Sequence, residues 1–322
     1  MYGDFCRLYI FVVQLSKRLF SIDYLSGRRI YMEKRKRKWG DRVDGYWVKD
    51  MDALHTIMPH IYNRRTQSEV YVLQEFDVTE LLKYLDKQNK LHPEYKTTVF
   101  HALLFGIGKI IYHRPLLNRF ISAGRTYQRY DIELTFLAKK EFSDESEEAM
   151  LKEVVQPDWT LDGMSEYIYT KVRKAKVGQE NNTEDVVDTL AKLPRPLLSF
   201  VTWLLRVLST YGKLPKSIWE GDVNYGTVLL TNLGSIKAPA VYHHLNEYGT
   251  ASIIAAIGTI RQKPVYTAKG ELKENRDVVD IGITIDERIA DGFYFARSLK
   301  IMDKMLADPK LFNEKIEEPI NE

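Results

Sequence analysis

The chain has 322 residues, 44% of them hydrophobic, enough for a sizeable core built as one large domain or two small ones. Lys and Arg number 47 against 44 Asp and Glu, and the net +3 lies in the first 31 residues, where Arg7, Lys17, Arg18, Arg28 and Arg29 face only Asp4 and Asp23. The balanced remainder offers no global argument for nucleic acid or an anionic membrane, and the lone Cys6 excludes a disulfide framework and points to a reducing, cytoplasmic compartment.

The head has scattered apolar groups from Tyr9 to Leu15 flanked by charge. It lacks the small-residue cleavage site of a signal peptide and is too short to span a bilayer. Met32 opens a second plausible start, and the five cations Lys34–Lys38 read as a solvated arm. Residues 1–45 are therefore expected to be a disordered or mis-assigned extension, with ordered chain beginning near Trp39 and the domain proper covering 46–322.

Val70–Val78 is β-branched and aromatic and predicts a strand. Thr79 can cap a helix through Lys87, with Leu81, Leu82 and Leu85 inward. After His92-Pro93, the spacing of Val99, Leu103, Ile107, Ile110 and Ile111 predicts a helix over Thr97–Tyr112. Tyr130–Ala138 alternates Ile132, Leu134 and Phe136 as a strand, and acidic Ser143–Glu148 is expected to open a helix. Gly178–Asp185 is polar and reads as a surface loop or linker. Leu197–Leu208 is the most apolar segment; interrupted by Arg206 and too short to cross a bilayer, it is expected to be buried or packed on another subunit.

The last hundred residues carry three strand signals, Thr227–Thr231, Ser252–Ile260 and Val279–Ile285, the second apolar enough to be buried on both faces. A helix from about Phe293 to Ala307 places Phe295, Leu299, Met302 and Leu306 on one face and stops at Asp308-Pro309. Mixed strands and helices make an α/β domain, without internal repeats.

Four stretches then fit one pattern in order. Gly226-Thr227-Val228-Leu229-Leu230-Thr231-Asn232-Leu233-Gly234-Ser235 is followed by Ala255–Ile260 with Lys263-Pro264-Val265, by the hairpin Lys269-Gly270-Glu271-Leu272, and by Asp286–Gly292 before the last helix. Together they resemble the catalytic domain of the acyltransferase component of 2-oxo acid dehydrogenase complexes, convincingly over 226–312 and more weakly over 51–136. The resemblance implies a chloramphenicol acetyltransferase-like fold, a mixed-sheet sandwich with flanking helices that forms trimers. Nothing resembles a lipoyl domain or a subunit-binding domain, so a stand-alone catalytic domain without covalent lipoyl is expected.

By that resemblance, acyl transfer from coenzyme A uses a base and an oxyanion donor from neighbouring subunits, facing each other across a channel at their interface. Carried over by position, Thr231 supplies the hydroxyl, Asn232, Gly234 and Ser235 adjoin the cofactor, and Asp291 orients the site through an ion pair. Arg64 and Arg65 lie in the right region to partner it, without a secure match. The family's motif is His-x-x-x-Asp-Gly, but Glu287 stands where its histidine would be. Deprotonating a thiol costs about 2.7 kcal/mol with a histidine base and roughly 5.7 kcal/mol with an unperturbed glutamate. A dry pocket could raise the carboxylate's pKa and recover most of the difference. His243-His244, a dozen residues past Thr231, offers another base, His244 being the candidate kept.

The expectation is therefore a trimeric acyltransferase taking acyl-CoA and an unidentified thiol or hydroxyl acceptor, with no metal, nucleic-acid or membrane partner. The alternatives are an inactive trimeric binding or scaffold homologue and a small-molecule O-acetyltransferase.

Overall fold

The structure, a computed structural model, describes residues 36–139, 148–176 and 191–320. The first half runs β1 (Gly45–Trp47), α1 (Ala53–Ile61), β2 (Glu69–Asp77), α2 (Thr79–Leu91), α3 (Val99–His113), β3 (Arg119–Ser122), β4 (Arg125–Arg129), β5 (Glu133–Lys139), β6 (Glu148–Val154) and α4 (Leu161–Lys176). The second adds α5 (Arg195–Thr210), α6 (Lys216–Trp219), β7 (Val228–Asn232), β8 (Ile253–Tyr266), β9 (Leu272–Asp286) and α7 (Gly292–Ala307). Six strands form a mixed sheet in the order β2-β9-β8-β7-β5-β6, and β1, β4 and β3 form a smaller one. Within the large sheet β7 runs parallel to β5 and β8, while the other pairs are antiparallel.

The pleat divides the large sheet chemically. Val228 on β7, Ile253 and Ala255 on β8, and Ile281, Ile283 and Ile285 on β9 turn toward α3 and α7, where Ile110, Ile111 and Met302 meet them. These side chains, nearly all buried, form the main core. The intervening residues Thr231, Ala256, Gly282 and Thr284 occupy the opposite face, in register across β7, β8 and β9. There the segment 238–246 crosses the sheet as a strap. A Cβ on Gly258 would sit 2.6 Å from the Ala240 backbone nitrogen, and one on Gly282 would run into the Val241 carbonyl. Glycine at these two strand positions is what lets backbone lie on backbone.

The strands and helices expected from periodicity are present, with β8 and β9 longer than expected because they extend into a hairpin past Gly270. Two expectations need correction. Glu148 opens strand β6, not a helix, because its chain pairs antiparallel with β5 from Glu133↔Val154 to Lys139↔Glu148; residues 143–147 and the loop Gly178–Asp185 lie outside the described residues. The folded unit begins upstream of residue 46: buried Arg42 and Asp44 form an ion pair at 2.8 Å, and Arg42 also donates to the Ser209 and Thr210 carbonyls. The apolar segment around residue 200 is helical; within the single chain it half-buries Leu198, Val201, Leu205 and Leu208 and exposes Leu197, Phe200 and Trp203.

Helix α3 starts on a capping box in which the His101 Nδ1 accepts from the Thr98 backbone N–H at 3.1 Å. Burial pulls this imidazole down to about 4 from its ordinary 6.5. Between those values the unfolded chain binds a proton that the folded chain refuses, so stability rises with pH across this window. Thermal melts from pH 7 to pH 4 should show wild type losing stability as pH falls through the window. His101→Gln, which cannot titrate, should lose distinctly less over the same range.

Candidate active site

The turn after β9 is fixed by charge. Asp286 and Arg288, respectively 0% and 2% exposed, form a bidentate pair, Nε to Oδ1 at 2.7 Å and Nη2 to Oδ2 at 2.6 Å. The remaining guanidinium nitrogen donates to the Tyr62 carbonyl at 2.6 Å, tying the turn to the end of α1. Between these two residues sits Glu287, half-buried, its backbone N–H donating to the Ser68 carbonyl at 2.9 Å. Its carboxylate has no hydrogen-bond or ion-pair partner among the described residues.

Asp291 caps α7, accepting from the Tyr294 N–H at 2.7 Å. No arginine pairs with it among the described residues of the single chain; the ion pair at this turn is Asp286–Arg288. Arg65, considered as the partner, is buried and donates instead to the carbonyls of Gly249 and Ala251. Burial draws its guanidinium down to about 10, against the attraction of Asp286 and with Arg288 and Arg129 adding like-charge repulsion.

Thr231 is buried near the end of β7, in register with Ala256 of β8, which is in register with Gly282 of β9. Glu287 lies five residues beyond Gly282, just past the end of β9 and two strands across from Thr231. With ~3.3 Å per residue and ~4.8 Å between strands, the two positions are on the order of 19 Å apart in one chain. The structure therefore does not bring Thr231 and Glu287 together within a chain. Asn232, Gly234 and Ser235 stay with Thr231: Ser235 Oγ donates to the Asn232 carbonyl at 2.7 Å, and a Cβ on Gly234 would meet the Gly258 carbonyl at 2.6 Å. These contacts shape a 3-10 turn over Leu233–Ile236 against β8.

His244 lies at the Glu287 end. Its Nδ1 is 3.3 Å from Glu69 Oε2, and Glu69 sits opposite Asp286 in the β2–β9 register. The Glu69 carboxylate also accepts from the Leu245 N–H at 2.7 Å and the Tyr71 hydroxyl at 2.5 Å, which holds the Tyr71 phenol above its ordinary value. The imidazole itself is 81% exposed, so a nearly buried carboxylate orients a ring open to solvent. Sequence reasoning missed Glu69 and Tyr71. The only signal was their alternate spacing on one face of β2, which means nothing until the strap delivers His244 beside them. Among the described residues, no group of three or more His, Cys, Asp or Glu side chains could hold a metal ion.

The family described as 2-oxoacid dehydrogenases acyltransferase (catalytic domain) matches residues 213–313. No curated protein sequence matches the chain. Among solved structures, a probable dihydrolipoamide acetyltransferase of Listeria monocytogenes superposes with a TM-score of 0.52 at 16% identity, over 81% of this chain and 94% of that one. A dihydrolipoamide acetyltransferase of Azotobacter vinelandii, studied for a serine, a histidine and an asparagine in its catalytic mechanism, gives 0.52 at 15% identity over 82% and 94%. A truncated catalytic core of the 2-oxoacid dehydrogenase multienzyme complex of Thermoplasma acidophilum gives 0.50 at 18% over 81% and 98%. Residues 213–313 thus carry the signature of the 2-oxoacid dehydrogenase acyltransferase catalytic domain, on a chain that has the fold of those catalytic cores.

Proposed function

We propose that the protein is a coenzyme A-dependent acyltransferase whose active site is shared between two copies of the chain in a trimer. The observation that carries this reading is that one family match, over residues 213–313, contains both Thr231 and Glu287, while the fold keeps them two strands across and five residues along the sheet from each other. A base and an oxyanion donor so far apart can act on one carbonyl only if each comes from a different protomer.

In the proposed reaction the base takes the proton of a thiol or hydroxyl acceptor, whose sulfur or oxygen attacks the thioester carbonyl. The tetrahedral oxyanion accepts a hydrogen bond from the Thr231 hydroxyl. Collapse breaks the carbon–sulfur bond, and the departing thiolate recovers the proton from the base. Glu287 has the family position and an unengaged carboxylate. A neighbouring protomer that covers it would remove water and strengthen it as a base. His244 is the second candidate, favoured by the Glu69 carboxylate behind its Nδ1, which leaves Nε2 to take the proton.

Single variants separate the two. If Glu287 is the base, Glu287→Gln abolishes acyl-CoA turnover and His244→Gln leaves most of it; the reverse result assigns the role to His244. Thr231→Val, which keeps shape and removes the donor, should lower kcat by about 100-fold. A wild-type protein with no turnover toward thiol or hydroxyl acceptors would favour the scaffold reading, which the missing motif histidine supports.

Mixing provides the test of sharing. Refolding inactive Thr231→Val and Glu287→Gln protomers together at equal amounts should restore roughly a quarter of wild-type turnover, since random assembly leaves that share of interfaces with both groups intact. Restoration to nothing would place the reaction, if there is one, within a single chain.

A further inference from the structure

A polar cavity of about 530 Å³ adjoins the Asp286–Arg288 turn. The C-terminal ends of α1 and α5, the tip of the β3–β4 hairpin and the loop before β8 form its walls, with His60, Asn63, Arg65, Arg206, Glu247 and Arg288 among them. Its size is that of a small-molecule site. Glu287, His244 and Thr231 do not line it, so it is separate from the groups assigned to acyl transfer.

The charge on these walls does not balance. Three guanidiniums, those of Arg65, Arg206 and Arg288, stand against the single carboxylate of Glu247. Behind the wall Asp286 matches Arg288, Asp44 matches Arg42, and Glu133 lies 3.9 Å from Arg129. Arg65 and Arg206 are therefore left against Glu247 alone. That carboxylate accepts through Oε1 from the backbone N–H groups of Arg65 and Thr66, at 3.0 and 3.4 Å, and it makes no ion pair with either guanidinium.

Arg65 is the informative member. It is buried, and two of its N–H donors are engaged by the Gly249 and Ala251 carbonyls while the others are not. No carboxylate lies within ion-pair distance of it among the described residues. A buried cation without a counter-charge is costly. Arg206, His60 and Asn63 line the same space, and their side chains have no hydrogen-bond or ion-pair partner among the described residues.

We propose that the cavity binds a small polar molecule through one carboxylate or phosphate group, held by Arg65 and Arg206 with His60 and Asn63 beside them. A guanidinium matches either group with paired hydrogen bonds. The bound oxyanion supplies Arg65 with the counter-charge that its own chain does not. A metal cation or an apolar molecule would leave that guanidinium unpaired, so neither suits the site. The proposal does not rest on the acyl-transfer reading. Coenzyme A carries phosphates and is one source of such a group, a free small anion the other.

The test is isothermal titration calorimetry of the full chain at low salt, with inorganic phosphate, malonate and coenzyme A as separate probes. Saturable binding at one site per chain is expected. Phosphate or malonate binding assigns the group to a free small anion, and binding of coenzyme A alone assigns it to the coenzyme. Arg206→Gln should weaken the affinity by about tenfold. Glu247→Gln keeps an acceptor oxygen for the Arg65 and Thr66 N–H groups but removes the opposing charge, and should tighten it by about threefold. Arg195→Gln, on the same helix but away from the cavity, should leave it unchanged. Arg206 and Glu247 are exposed, so both variants should melt with wild type. Absence of saturable binding with all three probes overturns the proposal. So does an affinity indifferent to Arg206→Gln and Glu247→Gln, or one that Arg195→Gln lowers as far as Arg206→Gln does.

Discussion

The site depends first on the ion pair between Asp286 and Arg288. Two charges almost wholly removed from water are expensive, and the geometry has to compensate: two parallel hydrogen bonds, a third from the Arg288 backbone to Asp286 at 3.2 Å, and a fourth from the guanidinium to Tyr62. Removal of either partner would strand the other in a low-dielectric interior, a cost of about 3–5 kcal/mol. The pair thereby joins three things that sequence separates: the end of β9, the turn that carries Glu287 and the end of α1. Asp291, one turn further, is left to cap α7.

A second set of charges holds the opposite wall. Arg65 donates to the Gly249 and Ala251 carbonyls, and Arg129 donates to those of Tyr225 and Thr250, the latter at 2.5 Å. These guanidiniums clamp the loop that leads from the strap into β8. The strap in turn needs Gly258 and Gly282 to lie flat on the sheet, and it ends with the Leu245 N–H on Glu69. His244 therefore reaches its carboxylate through backbone fit at two strand glycines, neither of which bears on chemistry directly.

Elements with strong periodicity were legible in the sequence because burial on one face is what produces the period. β9 alternates Val279, Ile281, Ile283 and Ile285, and those four are buried. β6 was misread since Glu148–Val154 sets its apolar residues in the run Ala149-Met150-Leu151 rather than in alternation, and what makes it a strand is its hairpin with β5. The same limit explains Glu69 and Tyr71. Their meaning comes from a contact across 173 and 175 residues of chain, and no local pattern encodes that.

Glu287 is where sequence and fold leave the sharpest physical demand. A carboxylate is a poor base for a thiol unless water is kept from it, and within one chain this side chain is only half-buried with no donor upon it. In the proposed reaction the strength it lacks comes from a surface beyond its own chain, and the hydroxyl of Thr231 lies two strands across and five residues along the sheet from it. The proposed shared site answers both demands, with a neighbouring copy whose β7 end closes over the β9 turn. Where no such closure forms, His244 is the alternative base of the proposal, its Nδ1 held by the Glu69 carboxylate and its Nε2 turned to solvent.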